Sequence, residues 1–183
     1  MSETSALFEV IEAWKQVLGT HAVVDDFQEL ENYTKSVCSS ERDVIAVLKP
    51  TSHEQVEQLV AVANQYKTPL YPISCGKQWG MGSKLPVKDG AAIVDLSAMN
   101  RIIEISEQFQ YVVLEPGVTQ RQLLDYITEK NLSLMLNVTG STSDTSLIGN
   151  AMDRGVGYFD SRAHGISNMH VVLGNGESIR TGF

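Results

Sequence analysis

The residues with chemistry to offer lie close together in Pro72-Ile73-Ser74-Cys75-Gly76-Lys77-Gln78-Trp79-Gly80-Met81-Gly82. Three glycines in seven positions let the backbone turn at φ > 0 and let a ligand approach the main chain. Successive N–H groups in such a turn form a concave nest for anions. Ser74 adds a hydroxyl and Lys77 a positive charge. Two readings stand side by side: an anion cradle, with phosphate as the anion, or an ordinary Gly-rich loop. Two common nucleotide loops do not fit. No glycine sits in Walker A register before a Lys-Ser or Lys-Thr pair. Gly80-Met81-Gly82 runs into Ser83-Lys84-Leu85-Pro86, so the third dinucleotide glycine is missing and Pro86 opposes a helix.

A strand must deliver the chain to this loop and another must take it away. Leu70 to Ile73 and Ala91 to Leu96 are the apolar runs that do so. Upstream, Val44 to Leu48 reads as a strand. Ser52 then caps a helix with Gln55 as capping-box partner and Val56, Leu59, Val60 and Ala63 as its buried stripe. Residues 5 to 18 read as an amphipathic helix, with Leu7, Val10, Ile11, Trp14 and Leu18 on one face and Gly19 as its stop. Residues 20 to 43 read as polar and irregular. Downstream, Ile102 to Ile105 and Tyr111 to Leu114 read as strands and Pro116-Gly117 as a turn. A helix capped by Thr119 follows, with Leu123, Leu124 and Ile127 inward. Leu132 to Leu136 is strand or extended core, and 137 to 145 is a loop. A short helix is expected at 146 to 152. Asn175-Gly176 marks a hairpin between 169–173 and 178–181.

The chain has 183 residues and a net charge of −8. That length suits a domain with a real core, and that charge argues against a nucleic-acid surface. No apolar run reaches membrane-span length. Met1-Ser2-Glu3-Thr4-Ser5 has no basic n-region, so no secretory signal is read. Cys38 and Cys75 lack metal spacing, and reduced thiols in a cytoplasmic protein are the expectation. No His/Cys/Asp/Glu group has ligand spacing, so no metal site is expected. His21, His53 and His170 carry no signal beyond surface or packing roles.

Taken in order, the segments resemble the vanillyl-alcohol oxidase and p-cresol methylhydroxylase family of flavoenzymes. That family reads P-I-S-x-G-[KR]-N-x-G-Y-G, then V-V-D-L-S, M-N-R-I-I-E-V and V-x-E-P-G-V. Here the matching stretches are the cradle loop, Ile93 to Ser97, Met99 to Glu104 and Val113 to Val118. Gly149-Asn150-Ala151 and Leu173 to Glu177 follow in the family's order. The resemblance covers about residues 44 to 183.

The resemblance implies an α+β fold: a two-subdomain FAD-binding domain with the cofactor between the lobes, incomplete at its C-terminus. Residues 1–43 would be a helix and irregular lead-in, lobe one about 44–98 and lobe two about 99–183. The implied cofactor-binding residues are Ser74, Cys75, Gly76, Lys77, Gln78, Gly80, Met81 and Gly82. Pro116, Gly117, Gly140, Ser141, Ser146, Gly149, Asn150 and His164 complete that set. No catalytic residue is assigned. FAD is expected to be non-covalent, because the cradle loop has no histidine, and weakly held.

Three departures matter. Met81 stands where the family has a tyrosine that holds phenolic substrates, and Ala163 where it has an acid before His164. Thr139 to Ser146 replaces a glycine-rich loop. Two functions follow. One is an FAD-dependent oxidoreductase domain of the type that oxidises 4-hydroxybenzylic alcohols or alkylphenols, completed by a substrate domain or partner chain. The other is a non-catalytic nucleotide-binding or interaction module. The partners expected are the flavin nucleotide and either a second copy or a chain supplying the substrate half, with no nucleic acid and no membrane.

Overall fold

The computed structural model describes residues 3–36, 41–78, 84–136, 141–153, 155–158 and 160–182. Gly80, Met81, Gly82 and Gly140, four of the expected site residues, fall outside that set. The elements in chain order are α1 (Glu3–Leu18), β1 (Val23–Val24), α2 (Phe27–Thr34), β2 (Val44–Leu48), α3 (His53–Tyr66), β3 (Leu70–Ile73), β4 (Ala91–Asp95), β5 (Ile102–Ser106) and β6 (Tyr111–Leu114). There follow α4 (Gln120–Glu129), α5 (Leu147–Met152), β7 (His170–Val172) and β8 (Ser178–Arg180).

The first half is built on a four-stranded sheet in the order β1-β2-β4-β3. β2, β4 and β3 are parallel, and β1 joins β2 antiparallel. A parallel sheet needs cover on both faces, and its strands read as unbroken apolar runs. β4 does so, with all five residues buried. Its side chains alternate between two cores. Ala92 and Val94, with Ala46 and Leu48, meet α1 and α3 through Val10, Trp14, Leu18, Leu59 and Ala63. Ile93, with Val47 and Ile73, meets Leu30 of α2 on the other face. Fully buried Trp14 also donates its indole N–H to the Leu59 carbonyl at 3.1 Å, which fixes α1 across α3.

Two sequence expectations change here. Residues 20 to 34 are ordered, not irregular: they hold a 3-10 turn, β1 and α2, whose N-cap Asp26 accepts from the Gln28 and Glu29 amides. Most polar residues of α2 face water while Leu30 and the half-buried Tyr33 reach the core, so its periodicity was too sparse to read. The capping box of α3 is also displaced: Ser52 accepts from the Gln55 amide, but the Gln55 side chain reaches back to the Thr51 amide.

The second half has no wide sheet. β5 and β6 form one antiparallel pair and β7 and β8 another. One face of β5–β6 packs Ile105, Val112 and Leu114 on Val118, Leu123, Ile127 and Leu147. Its other face leaves Ile103, Tyr111 and Val113 exposed. Leu124, expected inward, is half exposed, because the one-sided contact of α4 spends its apolar stripe on Leu123 and Ile127. Leu132, Leu134 and Leu136 line this core as extended chain without strand pairing. Among the described residues, no helix is long and apolar enough to cross a membrane.

Candidate functional site

The site sits where three connections meet at the end of β3. Ser74 and Cys75 follow β3 directly, and Gly76 turns the chain at φ 61°. The Cys75 thiol donates to the Gly117 carbonyl at 3.6 Å, which ties this loop to the turn after β6. The Ser146 hydroxyl donates to the Pro116 carbonyl at 2.5 Å and accepts from the Gly149 amide at 2.9 Å. Gly149 in turn faces Ser74: a Cβ there would lie 3.0 Å from the Ser74 hydroxyl oxygen. Ser74, Cys75, Gly76, Pro116, Gly117, Ser146 and Gly149, read from separate stretches of sequence, therefore line one junction. The fold brings them together through short polar contacts and two positions that exclude side chains.

Gly117 is one of those positions. A Cβ on it would approach the carbonyl oxygens of Leu96, Ser97 and Met99 at 2.6–2.7 Å. Its own amide donates to the Met99 carbonyl at 2.8 Å, so the turn lies flat on the chain leaving β4. The preceding Glu115 is nearly fully buried. Its carboxylate accepts from the Arg101 amide at 2.7 Å and from the guanidinium at 2.6 and 2.9 Å. Burial pushes this carboxyl up, but the hydrogen bonds and charge of Arg101 outweigh that and hold it below the usual carboxylate range. Glu115 thus serves the turn rather than facing a ligand, and Arg101 is the partner the sequence did not reveal.

Ser141 belongs to a polar knot above α4. The Gln120 carboxamide donates to the Ser141 hydroxyl and to the Thr145 hydroxyl, both at 2.7 Å. Asn150 is clamped by Arg162, whose guanidinium donates to its carboxamide oxygen at 3.1 Å. Any side chain at Gly155 would run into that carboxamide. His164 lies on a 3-10 turn beside α5, largely exposed, with its Nδ1 2.6 Å from the Asp160 carboxylate. Ala163 left His164 without the expected neighbouring acid. Asp160, four residues back, supplies a carboxylate instead, and that hydrogen bond holds Asp160 below its ordinary range. An i, i+4 pair across a loop carries no helical signature, so spacing gave no reason to couple them.

Beneath the cradle lies a second layer that the motifs did not show. The Lys84 stem packs against Gly76, where a Cβ would meet its Cγ at 2.5 Å. The Lys84 ammonium stands 4.3 Å from the centroid of the Tyr33 ring. The Tyr33 hydroxyl donates to Asp95 at 3.0 Å, and the same carboxylate caps the Ser97 amide. Burial, then the Asp95 charge, keeps the Tyr33 phenol protonated well past its ordinary range. Burial and the same Asp95 also push the Cys75 thiol up. Cys75 is therefore a free but protonated thiol, poorly suited to attack. Lys77 and Gln78 complete the described part of the loop. A surface pocket of about 380 Å³ opens between Leu18, His21, Lys49, Gln55 and Ala98, and none of the expected site residues lines it.

The donor set suits a dinucleotide diphosphate. It offers a hydroxyl, a lysine and a left-handed glycine turn, and the glycines at 117 and 149 keep bulk out of the junction. Comparison with known proteins agrees. The family profile described as FAD binding domain matches residues 44–182. The chain is 43% identical over 183 residues to 1'-carboxy-chondrochloren decarboxylase of Chondromyces crocatus, covering 98% of this chain and 34% of that protein. It is 37% identical to the 4-cresol dehydrogenase [hydroxylating] flavoprotein subunit of Pseudomonas putida, covering 95% and 34%. The crystal structure of p-cresol methylhydroxylase with substrate bound superposes with a TM-score of 0.94 at 35% identity, over 100% of this chain and 36% of that one. The chain thus spans about a third of the length of these relatives. It belongs to the FAD binding domain family, and its cofactor is FAD.

Proposed function

We propose that this chain is the flavin-holding part of an oxidoreductase acting on para-substituted phenols, with the FAD diphosphate seated at the junction of Ser74, Gly117 and Gly149. The observation that carries it is the convergence of three separate loops on one glycine-walled junction. Ser74 and the amides of Gly76 to Gln78 hold the diphosphate, and Lys77 offsets its charge. Gly80, Met81 and Gly82, next in sequence, are assigned to the same cofactor on sequence alone. Pro116 and Gly117 form the wall on the adenine side. Ser146, Gly149 and Asn150 line the opposite wall, with Ser141 above them and His164 at its outer end, and Gly140 is assigned to the same cofactor on sequence alone. FAD, when bound, accepts the reducing equivalents. The protein's residues bind and orient it. This chain's own residues hold the flavin without a covalent bond: the half-buried Cys75 thiol is kept protonated and spends its hydrogen on Gly117. The free thiol suits a reducing compartment, the cytoplasm.

The substrate class comes from the relatives, whose names specify 4-cresol and p-cresol. A partner chain, a second copy or a further segment supplies the walls that enclose substrate. The exposed apolar face of Ile103, Tyr111 and Val113 is the surface it would cover. A second reading, a nucleotide-binding module without turnover, is favoured by Met81 and Ala163.

Flavin fluorescence quenching tests the seat. Gly149→Val drives a branched side chain into the Ser74 hydroxyl and weakens FAD at least about tenfold, roughly 1.4 kcal/mol. Lys77→Ala weakens it less and flattens its salt dependence. Circular dichroism verifies that both variants fold. Unchanged affinity in two folded variants would remove the seat from this junction. Anaerobic bleaching of bound flavin by 4-cresol, measured with the substrate-enclosing chain or segment present, separates the two functional readings: bleaching supports the oxidoreductase, and a persistent yellow colour supports the module.

A further inference from the structure

Away from the flavin junction, α3 and the β7–β8 hairpin bring together three side chains with metal-ligand chemistry. His53 is the first residue of α3, and Glu57 lies one turn further on the same face. His170 opens β7. The two imidazoles stack with centroids 3.3 Å apart and planes inclined by 18°. Both Nε2 atoms converge on the Ser178 hydroxyl, at 2.6 Å from His53 and 3.0 Å from His170. The Glu57 carboxylate is 3.3 Å from the His53 Nε2. The three ligand atoms all lie within 4.8 Å of one another.

We propose that His53, Glu57 and His170 bind one divalent transition-metal ion of the Zn(II) class, clipping the β7–β8 hairpin onto α3. The ligand set decides the class. Two imidazoles and one carboxylate suit Zn(II), Co(II), Ni(II) or Cu(II), whereas Mg(II) and Ca(II) require mostly oxygen donors. Zn–N and Zn–O bonds of about 2.0–2.2 Å in a tetrahedron put ligand atoms roughly 3.3–3.5 Å apart. The His53–Glu57 spacing of 3.3 Å meets that figure and the whole set lies within 4.8 Å, so a side-chain rotation that unstacks the two imidazoles closes the site. Ser178, or a water in its place, completes the fourth position. A second tie already holds the same two elements: the Asn64 carboxamide donates to the Gly174 carbonyl at 2.9 Å. The ion would thus fix groups 125 residues apart in sequence, such as His53 and Ser178. Its role is structural or regulatory, since a staple between distant segments stabilises by closing a long loop.

Spacing missed the site because its third ligand lies far along the chain. The reading is independent of the flavin proposal. Untagged protein is stripped with a chelator and titrated with Co(II), and Zn(II) binding is measured by equilibrium dialysis. The wild type takes up one equivalent of either ion, and Co(II) gives the intense visible bands of a tetrahedral N/O site. Zn(II), but not Mg(II), raises its melting temperature. His170→Ala, on the exposed hairpin, and Glu57→Gln each weaken Zn(II) at least about tenfold and abolish the thermal shift. Wild-type affinity in either folded variant, or no stoichiometric uptake at micromolar Zn(II), overturns the proposal.

Discussion

The two halves of this chain handle apolar surface differently. In the first half every strand of the parallel array has a helix over it. Ala46, Val47, Leu48 and Ala91 to Val94 are all at or near zero exposure. In the second half α4 covers one face of β5–β6, and β8 is exposed along its whole length. The first half is therefore held by its core, and the second by specific contacts: the Glu115–Arg101 ligation, the Gly117 turn, the Gln120 knot and the Arg162 clamp. The junction proposed for the flavin lies on the border, where the segment after β3 meets the polar-tethered loops of the second half. Such a division lets the first half fix the loop position while the second yields to what binds.

Removing the largest core group should give the largest effect. Trp14→Ala leaves a cavity between α1, α3 and the sheet and removes the indole hydrogen bond to the Leu59 carbonyl, costing about 3–5 kcal/mol. Urea unfolding measures it. A loss under about 1 kcal/mol would mean that α1 is an appendage rather than part of the core, and the contrast between halves would fail.

Next in size is Gly117→Ala. Three carbonyl oxygens within 2.7 Å leave no room for a methyl group, so the turn must lift off the segment after β4. The cost is roughly 1–3 kcal/mol. Because Cys75 bonds the Gly117 carbonyl, the displacement reaches the cradle, and FAD affinity falls with stability. Lost stability with unchanged flavin affinity would separate the turn from the site.

The same contrast explains what could be read from sequence. Buried parallel strands announce themselves as unbroken apolar runs, so β2, β3 and β4 were legible, as were caps with local signatures at Ser52 and Thr119. Segments joined by tertiary polar contacts were not. Nothing local couples Arg101 to Glu115, Arg162 to Asn150 or Asp160 to His164. α2 turns only Leu30 and part of Tyr33 inward, too few to mark a stripe. The site glycines were visible as a pattern, but the reason for each is geometric: 117 faces three carbonyls, 149 faces Ser74, and 76 needs a left-handed turn. Lys84 and Tyr33 under the cradle come from outside the motif, and no pattern pointed to them.

Glu115 gives a pH signature. Its folded carboxyl titrates below the unfolded one, so its contribution is complete above the unfolded value, near pH 4.3, and is lost as pH falls through the folded value. Glu115→Gln keeps the shape but removes the charge. The variant should be less stable than wild type at neutral pH, and the gap should narrow as pH drops below about 4. A gap constant from pH 7 to pH 3 would show that shape, not charge, holds the Arg101 contact.

The smallest effect is expected at Asp160 and His164, whose side chains are 66% and 70% exposed. Water competes for both partners, and salt screens them. The His164 hydrogen bond holds the Asp160 carboxyl below its ordinary value. By the same linkage its contribution is present above the unfolded pKa, near 3.9, and fades as pH falls through the folded one. Asp160→Asn should therefore shift the melting temperature far less than Glu115→Gln at pH 7. Moderate salt should erase even that shift, whereas the largely buried carboxylate of Glu115 should keep most of its effect. The two variants differ in burial far more than in chemistry, since each removes one carboxylate from a short pair. Melting curves of both at low and high salt make the comparison direct. If Asp160→Asn proved as costly as Glu115→Gln and equally resistant to salt, the surface of the second half would be holding the fold as firmly as its buried turn.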